Sequence, residues 1–301
     1  MYKEIIKTIG NTPLVKTKQK NVLAKLEYFN PSGSVKDRAA FNILNKALKK
    51  KKINKNTLII EATSGNMGIA LAFCSSALGL KFCAVMPENM TIERRKLMLA
   101  YGAKIVLTPA AEGMQGSVLK AESLAKEYQK KGKKVFIVNQ FENILNPLAH
   151  TQTAKEILKD TSNKVGAIFA GIGSGGTITG IGRYLKKINP KIKIIGVEPS
   201  ESPLLTKGVA GPHKIQGIGA NFVPKNLDLK VVDKVVDITS EKAFKTARQA
   251  AKEGLFIGIS SGAVLKAAQD YAKKNKNTLI VAVLADGGAR YLSGDLFDEN
   301  I

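Results

Sequence analysis

A chain of 301 residues with 44% hydrophobic side chains can bury a sizeable core and form two domains or one large one. No apolar run reaches the ~18 residues of a membrane span, Met1–Lys7 lacks the pattern of a secretory signal, and two cysteines, Cys74 and Cys83, exclude a disulfide framework, so the cytoplasm is the expected compartment. The net charge of +23 would attract polyanions, yet its lysine runs at 49–52 and 130–134 carry no interleaved aromatics and no reading motif, which leads us to expect a solvated basic surface with neither a nucleic-acid nor a membrane partner.

In chain order, the first informative stretch is Asn30-Pro31-Ser32-Gly33-Ser34-Val35-Lys36-Asp37-Arg38, a turn-rich run ending at a predicted helix over Asp37–Leu44. A lysine at that junction can present its amine into a cleft, and burial would lower its pKa and free the lone pair for Schiff-base chemistry. Short β-rich apolar runs then alternate with helical patterns. Strands are predicted at Leu58–Ala62, Lys81–Met86, Lys104–Thr108, Lys134–Asn139, Ala167–Gly171, Lys193–Glu198 and Thr278–Leu284. Helices are predicted at Gly68–Leu80, Thr91–Tyr101, Ser117–Lys131, Thr151–Lys159, Thr177–Lys187, Ser240–Glu253 and Ala263–Lys274. The alternation predicts an α/β fold with mostly parallel sheets covered by helices on both faces.

Three loops could carry chemistry. In Glu61–Gly68 the small residues Thr63, Ser64, Gly65 and Asn66 precede a helix start, where free N–H groups and the positive dipole end suit an anion. Gly171–Thr177 matches G-x-G-x-x-G after a strand, and Glu198 lies near the spacing of a ribose-binding acid, so a nicotinamide oxidoreductase is the rival from another class. Ser174 and Thr177 add hydroxyls that suit a terminal phosphate better, and the lysine of a Walker A loop is missing. Gly258–Ala263 is a Ser-rich turn before the last long helix, whose plain alternative is a helix cap. His150 and His213 stand alone in sequence and make no metal site.

Taken together, these segments resemble the cysteine synthase (O-acetylserine sulfhydrylase) family of fold-type II pyridoxal-phosphate enzymes. The resemblance runs nearly the whole length, through Ile9–Val15, Lys25-Leu26-Glu27, the Lys36 segment, Thr63–Gly68, Met86–Met90, Gly173–Thr177, His213–Ala220, Ser260–Gly262 and Arg290–Ser293. Several segments look like the shorter B-type isozyme, while Lys214–Gly219 looks more like the A-type.

What the family implies is a tryptophan synthase β-like fold, with a smaller mobile domain at residues 36–140 and a larger one made of 1–35 and 141–301. It implies Lys36 as the residue holding pyridoxal 5'-phosphate and as the proton-transfer base. Asn66 would bind the cofactor's 3′-oxygen, Gly173, Ser174, Gly175, Gly176 and Thr177 its phosphate, and Ser260 its ring nitrogen. Thr63, Ser64, Gly65, the Met67 backbone and Gln140 would bind the substrate carboxylate, with Gly217 and Asn221 at the rim. The implied reaction converts O-acetyl-L-serine and sulfide to L-cysteine and acetate through an α-aminoacrylate. A homodimer and a serine acetyltransferase partner are implied as well. Three departures bear on the sulfur chemistry: Met67 for threonine, Asn221 for glycine, and Asp286 within Ala285–Ala289. A relative that releases hydrogen sulfide from L-cysteine, forming lanthionine or serine, would look nearly the same.

Overall fold

Two sheets organise the chain, one built from the middle of the sequence and one from its ends. The structure, a computed structural model, describes residues 4–63 and 65–298. The strands are β1 (Leu14–Lys16), β2 (Val22–Leu26), β3 (Leu58–Ala62), β4 (Lys81–Pro87), β5 (Lys104–Thr108), β6 (Val135–Ile137), β7 (Val165–Gly171), β8 (Lys193–Pro199), β9 (Lys234–Ile238) and β10 (Leu279–Leu284). The helices are α1 (Lys36–Lys49), α2 (Asn66–Leu78), α3 (Ile92–Ala100), α4 (Gly113–Lys130), α5 (Leu145–Asp160), α6 (Gly176–Ile188), the short α7 (Leu204–Lys207), α8 (Ser240–Lys252) and α9 (Ile259–Lys274).

One sheet has four strands in the order β5-β4-β3-β6, the other six in the order β1-β2-β10-β7-β8-β9. Every pairing is parallel except β1 with β2. Central strands such as β3, β4, β7 and β10 are apolar at nearly every position because helices cover both faces. Ile43, Leu44 and Ile69 fill the core on one face of the smaller sheet, and Ala121 and Ala125 of α4 pack on the other. Met67 also lies in that first core, so its side chain turns away from the loop it was expected to serve and leaves only its backbone there.

The sequence reading missed β1, β2 and β9, and placed the starts of α4, α5 and α9 several residues late. Strand β2 escaped because Lys25 interrupts its apolar run; the lysine is fully buried and pairs with Glu156 at 2.9 Å. That ion pair belongs to a cluster that fixes α1. Arg38 bonds Glu27 through Nε at 2.6 Å and Nη2 at 2.8 Å, and Glu156 through Nη1 at 2.8 Å and Nη2 at 2.7 Å. Thr12 donates to Glu27 at 2.8 Å. Each charge in the cluster has an opposite partner and directed hydrogen bonds, the condition under which burying charge is tolerated. Removing a single member would leave an uncompensated charge, at a cost of about 3–5 kcal/mol. The cluster thus pins the start of α1, and with it Lys36, to β2 and α5.

Candidate active site

Lys36 is the first residue of α1. The loop before it folds back on the helix: the Ser32 N–H donates to Asp37 at 2.7 Å and the Ser32 hydroxyl donates to the other carboxylate oxygen. An antiparallel bridge between Ser34 and Asp286, and a bond from the Val35 N–H to the Ala285 carbonyl at 2.8 Å, tie this loop to the end of β10. Lys36 is partly exposed as a residue and forms no ion pair among the described residues. Burial lowers its pKa, and the nearby Asp286 carboxylate opposes that shift. A lowered pKa favours the free amine that carbonyl chemistry requires.

The second element is the turn from β3 into α2. The Thr63 hydroxyl accepts the N–H groups of Gly65 at 3.3 Å and Gly68 at 3.0 Å, which shapes the helix start. Ser64 lies outside the described residues. Asn66 opens α2, and its side-chain amide donates to Asp286 at 2.7 Å while its carbonyl accepts from Arg290. Tyr291 donates to the same Asp286 oxygen at 2.7 Å, and the other oxygen, Oδ1, is buried with no hydrogen-bond partner. Asp286 and Arg290 were absent from the sequence-based site. Only the long-range fold brings them to Asn66, although Asp286 stood out as a departure from the family pattern.

The third element is the glycine turn before α6. Gly175 has φ +77° and caps the helix. A Cβ there would lie 2.8 Å from the Leu227 nitrogen, and a Cβ on Gly173 or Gly176 would collide with the Gly217 carbonyl or the Asn146 side chain. Only glycine lets the chain pass so closely, leaving the first N–H groups of α6 free for an anion. Ser174 accepts from Asn146 at 3.0 Å, and Thr177 Oγ1 sits 3.3 Å from His150 Nε2. His150, which stands alone in sequence, is buried and touches this loop. Burial and the Arg38 charge hold its pKa down at about 3, so it is neutral.

Gln140 ends the crossing back from the smaller sheet. Its N–H donates to Glu61 at 3.0 Å, its carbonyl accepts from Asn146 at 2.8 Å and Asn226 at 2.7 Å, and its side chain reaches the Ala62 carbonyl at 3.4 Å. Burial pushes the Glu61 carboxyl up to about 7. Ser260 is buried in the first turn of α9, while Gly217 and Asn221 are exposed on the loop after α7. Across the mouth, Arg94 of α3 donates to Gln216 at 2.7 Å and lies over the Tyr291 ring.

Glu198 does not serve the dinucleotide reading. Its carboxylate accepts from the Leu205 N–H at 2.9 Å, the Thr206 N–H at 3.0 Å and the Thr206 hydroxyl at 2.6 Å, committing it to the start of α7. The amine at Lys36, the anion-ready starts of α2 and α6 and the glycine-only cradle together fit an aldehyde cofactor carrying a phosphate monoester.

Residues 5–286 match the family of pyridoxal-phosphate dependent enzymes, and the chain belongs to that family. Among its relatives, the cysteine synthase B of Campylobacter jejuni is 51% identical over 300 residues, covering 99% of both chains. The crystal structure of a cysteine synthase from Entamoeba histolytica superposes with a TM-score of 0.94 at 40% identity, covering 100% of this chain and 92% of that one. A hydrogen sulfide-producing enzyme from Fusobacterium nucleatum superposes with a TM-score of 0.92 at 44% identity, covering 97% of this chain and all of the other.

Proposed function

We propose that the chain is a cysteine synthase: sulfide displaces the acetate of O-acetyl-L-serine at the β-carbon, giving L-cysteine and acetate. The observation that carries this reading is the meeting of a half-buried, ion-pair-free Lys36 with two anion-ready helix starts, in a chain 51% identical to a cysteine synthase B. Pyridoxal phosphate, when bound, supplies the electron sink for breaking the substrate's Cα–H and Cβ–O bonds.

The remaining work falls to the chain's own residues. Lys36 Nζ takes the proton from the substrate α-carbon and later returns it. Gly173, Ser174, Gly175, Gly176 and Thr177 hold the phosphate with N–H and hydroxyl donors, and Asn66 holds the 3′-oxygen. Ser260 offers the ring nitrogen a neutral hydroxyl, which leaves the ring a moderate electron sink and favours elimination over transamination. Thr63, Ser64, Gly65, the Met67 backbone and Gln140 bind the substrate carboxylate, with Glu61 fixing Gln140 from behind. Gly217 and Asn221 line the rim.

The division into a moving part at 36–140 and a body made of 1–35 and 141–301 places the substrate loop on one part and the phosphate loop on the other. Closure would then bring them together and exclude water. Exposed Ile92, Leu97, Leu99 and Leu107 on α3 and the edge strand β5 support burial against a second copy of the chain. Two free, buried cysteines suit a reducing compartment such as the cytoplasm. A second reading, release of hydrogen sulfide from L-cysteine, draws on the 44% identity to the Fusobacterium enzyme.

The two readings separate by product analysis. Purified enzyme is given O-acetylserine with sulfide, or L-cysteine alone, and products are quantified by mass spectrometry. Cysteine and acetate in equal amounts from the first mixture, far outpacing sulfide release from the second, support synthesis. Faster turnover of cysteine alone refutes it.

A further inference from the structure

The net charge of +23 is not spread evenly, and the topology shows where much of it goes. In the four-stranded parallel sheet every strand begins at one pole, and α1, α2, α3 and α4 end there. Segments 46–57, 79–82, 101–104 and 127–134 form that pole. They carry Lys46, Lys49, Lys50, Lys51, Lys52, Lys55, Lys81, Lys104, Lys130, Lys131, Lys133 and Lys134 against the single acid Glu127. Two lysine runs about 80 residues apart in sequence thus become neighbours. Leu58, at the start of β3, lies opposite Lys81 on one side and Val135 on the other, and the Leu58 N–H donates to the Lys134 carbonyl at 2.9 Å. With strands ~4.8 Å apart, the four strand starts span only about 15 Å.

All twelve lysines are exposed, and among the described residues Lys131 alone forms an ion pair, with Glu127 at 2.6 Å. Cations at helix C-termini complement the macrodipole, which accounts for one or two per helix, such as Lys46 and Lys49 on α1 and Lys130 on α4. It does not account for the run at 50–52, for Lys55, or for Lys81 and Lys104 at the first positions of β4 and β5. The pole is also remote from the catalytic groups: α1 separates Lys36 from Lys49 by about 20 Å at ~1.5 Å per residue.

We propose that this pole, whose lysine runs read in sequence as a merely solvated basic surface, is a sequence-independent docking surface for duplex nucleic acid, held through backbone phosphates, because the fold gathers those runs at one end of one sheet. The chemistry of the patch selects this occupant. Lysine ammonium groups act as point charges toward phosphate and lack the bidentate fork that reads bases. No aromatic side chain is free to stack on bases, since Lys133 covers Tyr128 and Tyr101 packs edge-on against Phe73. The four segments include no exposed large apolar residue that could enter a bilayer. A regular, closely spaced row of phosphates matches a patch that offers charge and nothing else.

The test uses the holoenzyme and short fluorescein-labelled DNA duplexes of two unrelated sequences, titrated by anisotropy from about 50 to 200 mM KCl. Vesicles of anionic phospholipid serve as a second probe. Three variants each lose four positive charges: K49Q/K50Q/K51Q/K52Q and K130Q/K131Q/K133Q/K134Q at the pole, and K187Q/K191Q/K274Q/K276Q elsewhere on the surface. The expected result is equal binding of both duplexes, with a log affinity–log salt slope of roughly −4 or steeper. Either pole variant should weaken binding at least tenfold and flatten the slope by about two or more, while the third variant changes affinity less than threefold. All three should keep wild-type cysteine synthesis, because none touches the cleft. Equal weakening by the third variant would show that global charge alone acts, and would overturn the proposal. So would absence of duplex binding at the lowest salt, or binding of vesicles but not of duplexes.

Discussion

His150 gives a quantitative prediction in which stability and cofactor binding can be read separately. Its ring is buried between Thr177 Oγ1, 3.3 Å from Nε2, and Thr153 Oγ1, 3.2 Å from Nδ1. When Thr177 gives its proton to a phosphate oxygen, its hydroxyl must accept from His150. The neutral ring is then protonated at Nε2, and Nδ1 accepts from Thr153. A second proton is opposed by burial and by the Arg38 charge, which hold the pKa at about 3 against 6.5 for a free histidine. The unfolded chain takes up a proton below pH 6.5 and the folded chain does not. The stability contributed by neutral His150 is therefore complete above pH 6.5 and is lost as pH falls toward 3. The loss is ~1.4 kcal/mol per pH unit, or about 2 kcal/mol between pH 6.5 and 5. Glu61 and Asp37 work in the opposite sense. Burial raises them to about 7 and about 6, so the stability they contribute is present at low pH and is lost as pH rises through those values. Comparing variant with wild type at each pH cancels these terms. The His150→Gln variant keeps a donor toward Thr177 but cannot titrate; His150→Leu loses the donor as well. From urea midpoints at pH 6.5 and 5, H150Q should gain about 2 kcal/mol relative to wild type on acidification. Equilibrium dialysis at pH 7.5 should show cofactor affinity within several-fold of wild type for H150Q and at least tenfold weaker for H150L. A wild-type-minus-H150Q difference that stays constant with pH would refute the buried neutral state. Equal cofactor affinity for H150L and H150Q would refute the orientation of Thr177.

Thr177→Ala should lose one charge-assisted hydrogen bond to the phosphate, about 1.5–3 kcal/mol or 10- to 150-fold in cofactor affinity by dialysis; measurable NAD binding by the wild type, lost in the variant, would contradict this. In Asp286→Asn, a carboxamide that keeps its oxygen toward Asn66 and Tyr291 puts its NH2 at the buried, partnerless Oδ1 position, and the flipped amide deprives both donors of their acceptor, so we expect about 1–3 kcal/mol less stability and weaker cofactor retention, with no change in either as the contrary result. Asn221 is exposed, so Asn221→Gly should leave the ratio of sulfide release to cysteine formation within about twofold, and a several-fold change would show that the amide reaches the substrate.

The central strands were legible because burial on both faces writes a nearly unbroken apolar run, as in Leu58–Ala62, whose predicted and observed limits coincide, and Lys81–Met86, which runs one residue further to Pro87. Of the outer strands, β5 and β6 were predicted but β1 and β9 were not. Strand β1 has three residues and lies at an antiparallel edge, and β9 is an edge strand with charges at Lys234 and Asp237. Helix α5 was expected to begin at Thr151, but Pro147 fits a first helical turn, and the helix starts at Leu145. Lys36, Asn66 and the Gly173–Thr177 loop stood out because local geometry demands small residues or a helix start at each. Asp286, Arg290 and His150 carried no such signal. Asp286 and Arg290 reach Asn66 across more than 200 residues, and His150 meets Thr177 through the packing of α5 on α6.

Attachment of the cofactor to Lys36 is the point on which the whole account rests, and it can be measured directly. The holoenzyme is treated with borohydride to make the linkage permanent, then digested with trypsin and mapped by mass spectrometry. Modified Lys36 resists cleavage, so the account predicts the cofactor's mass on a peptide running from Leu26 to Arg38, with no comparable modification elsewhere. The same mass on another lysine, with Lys36 cleaved normally, would contradict it.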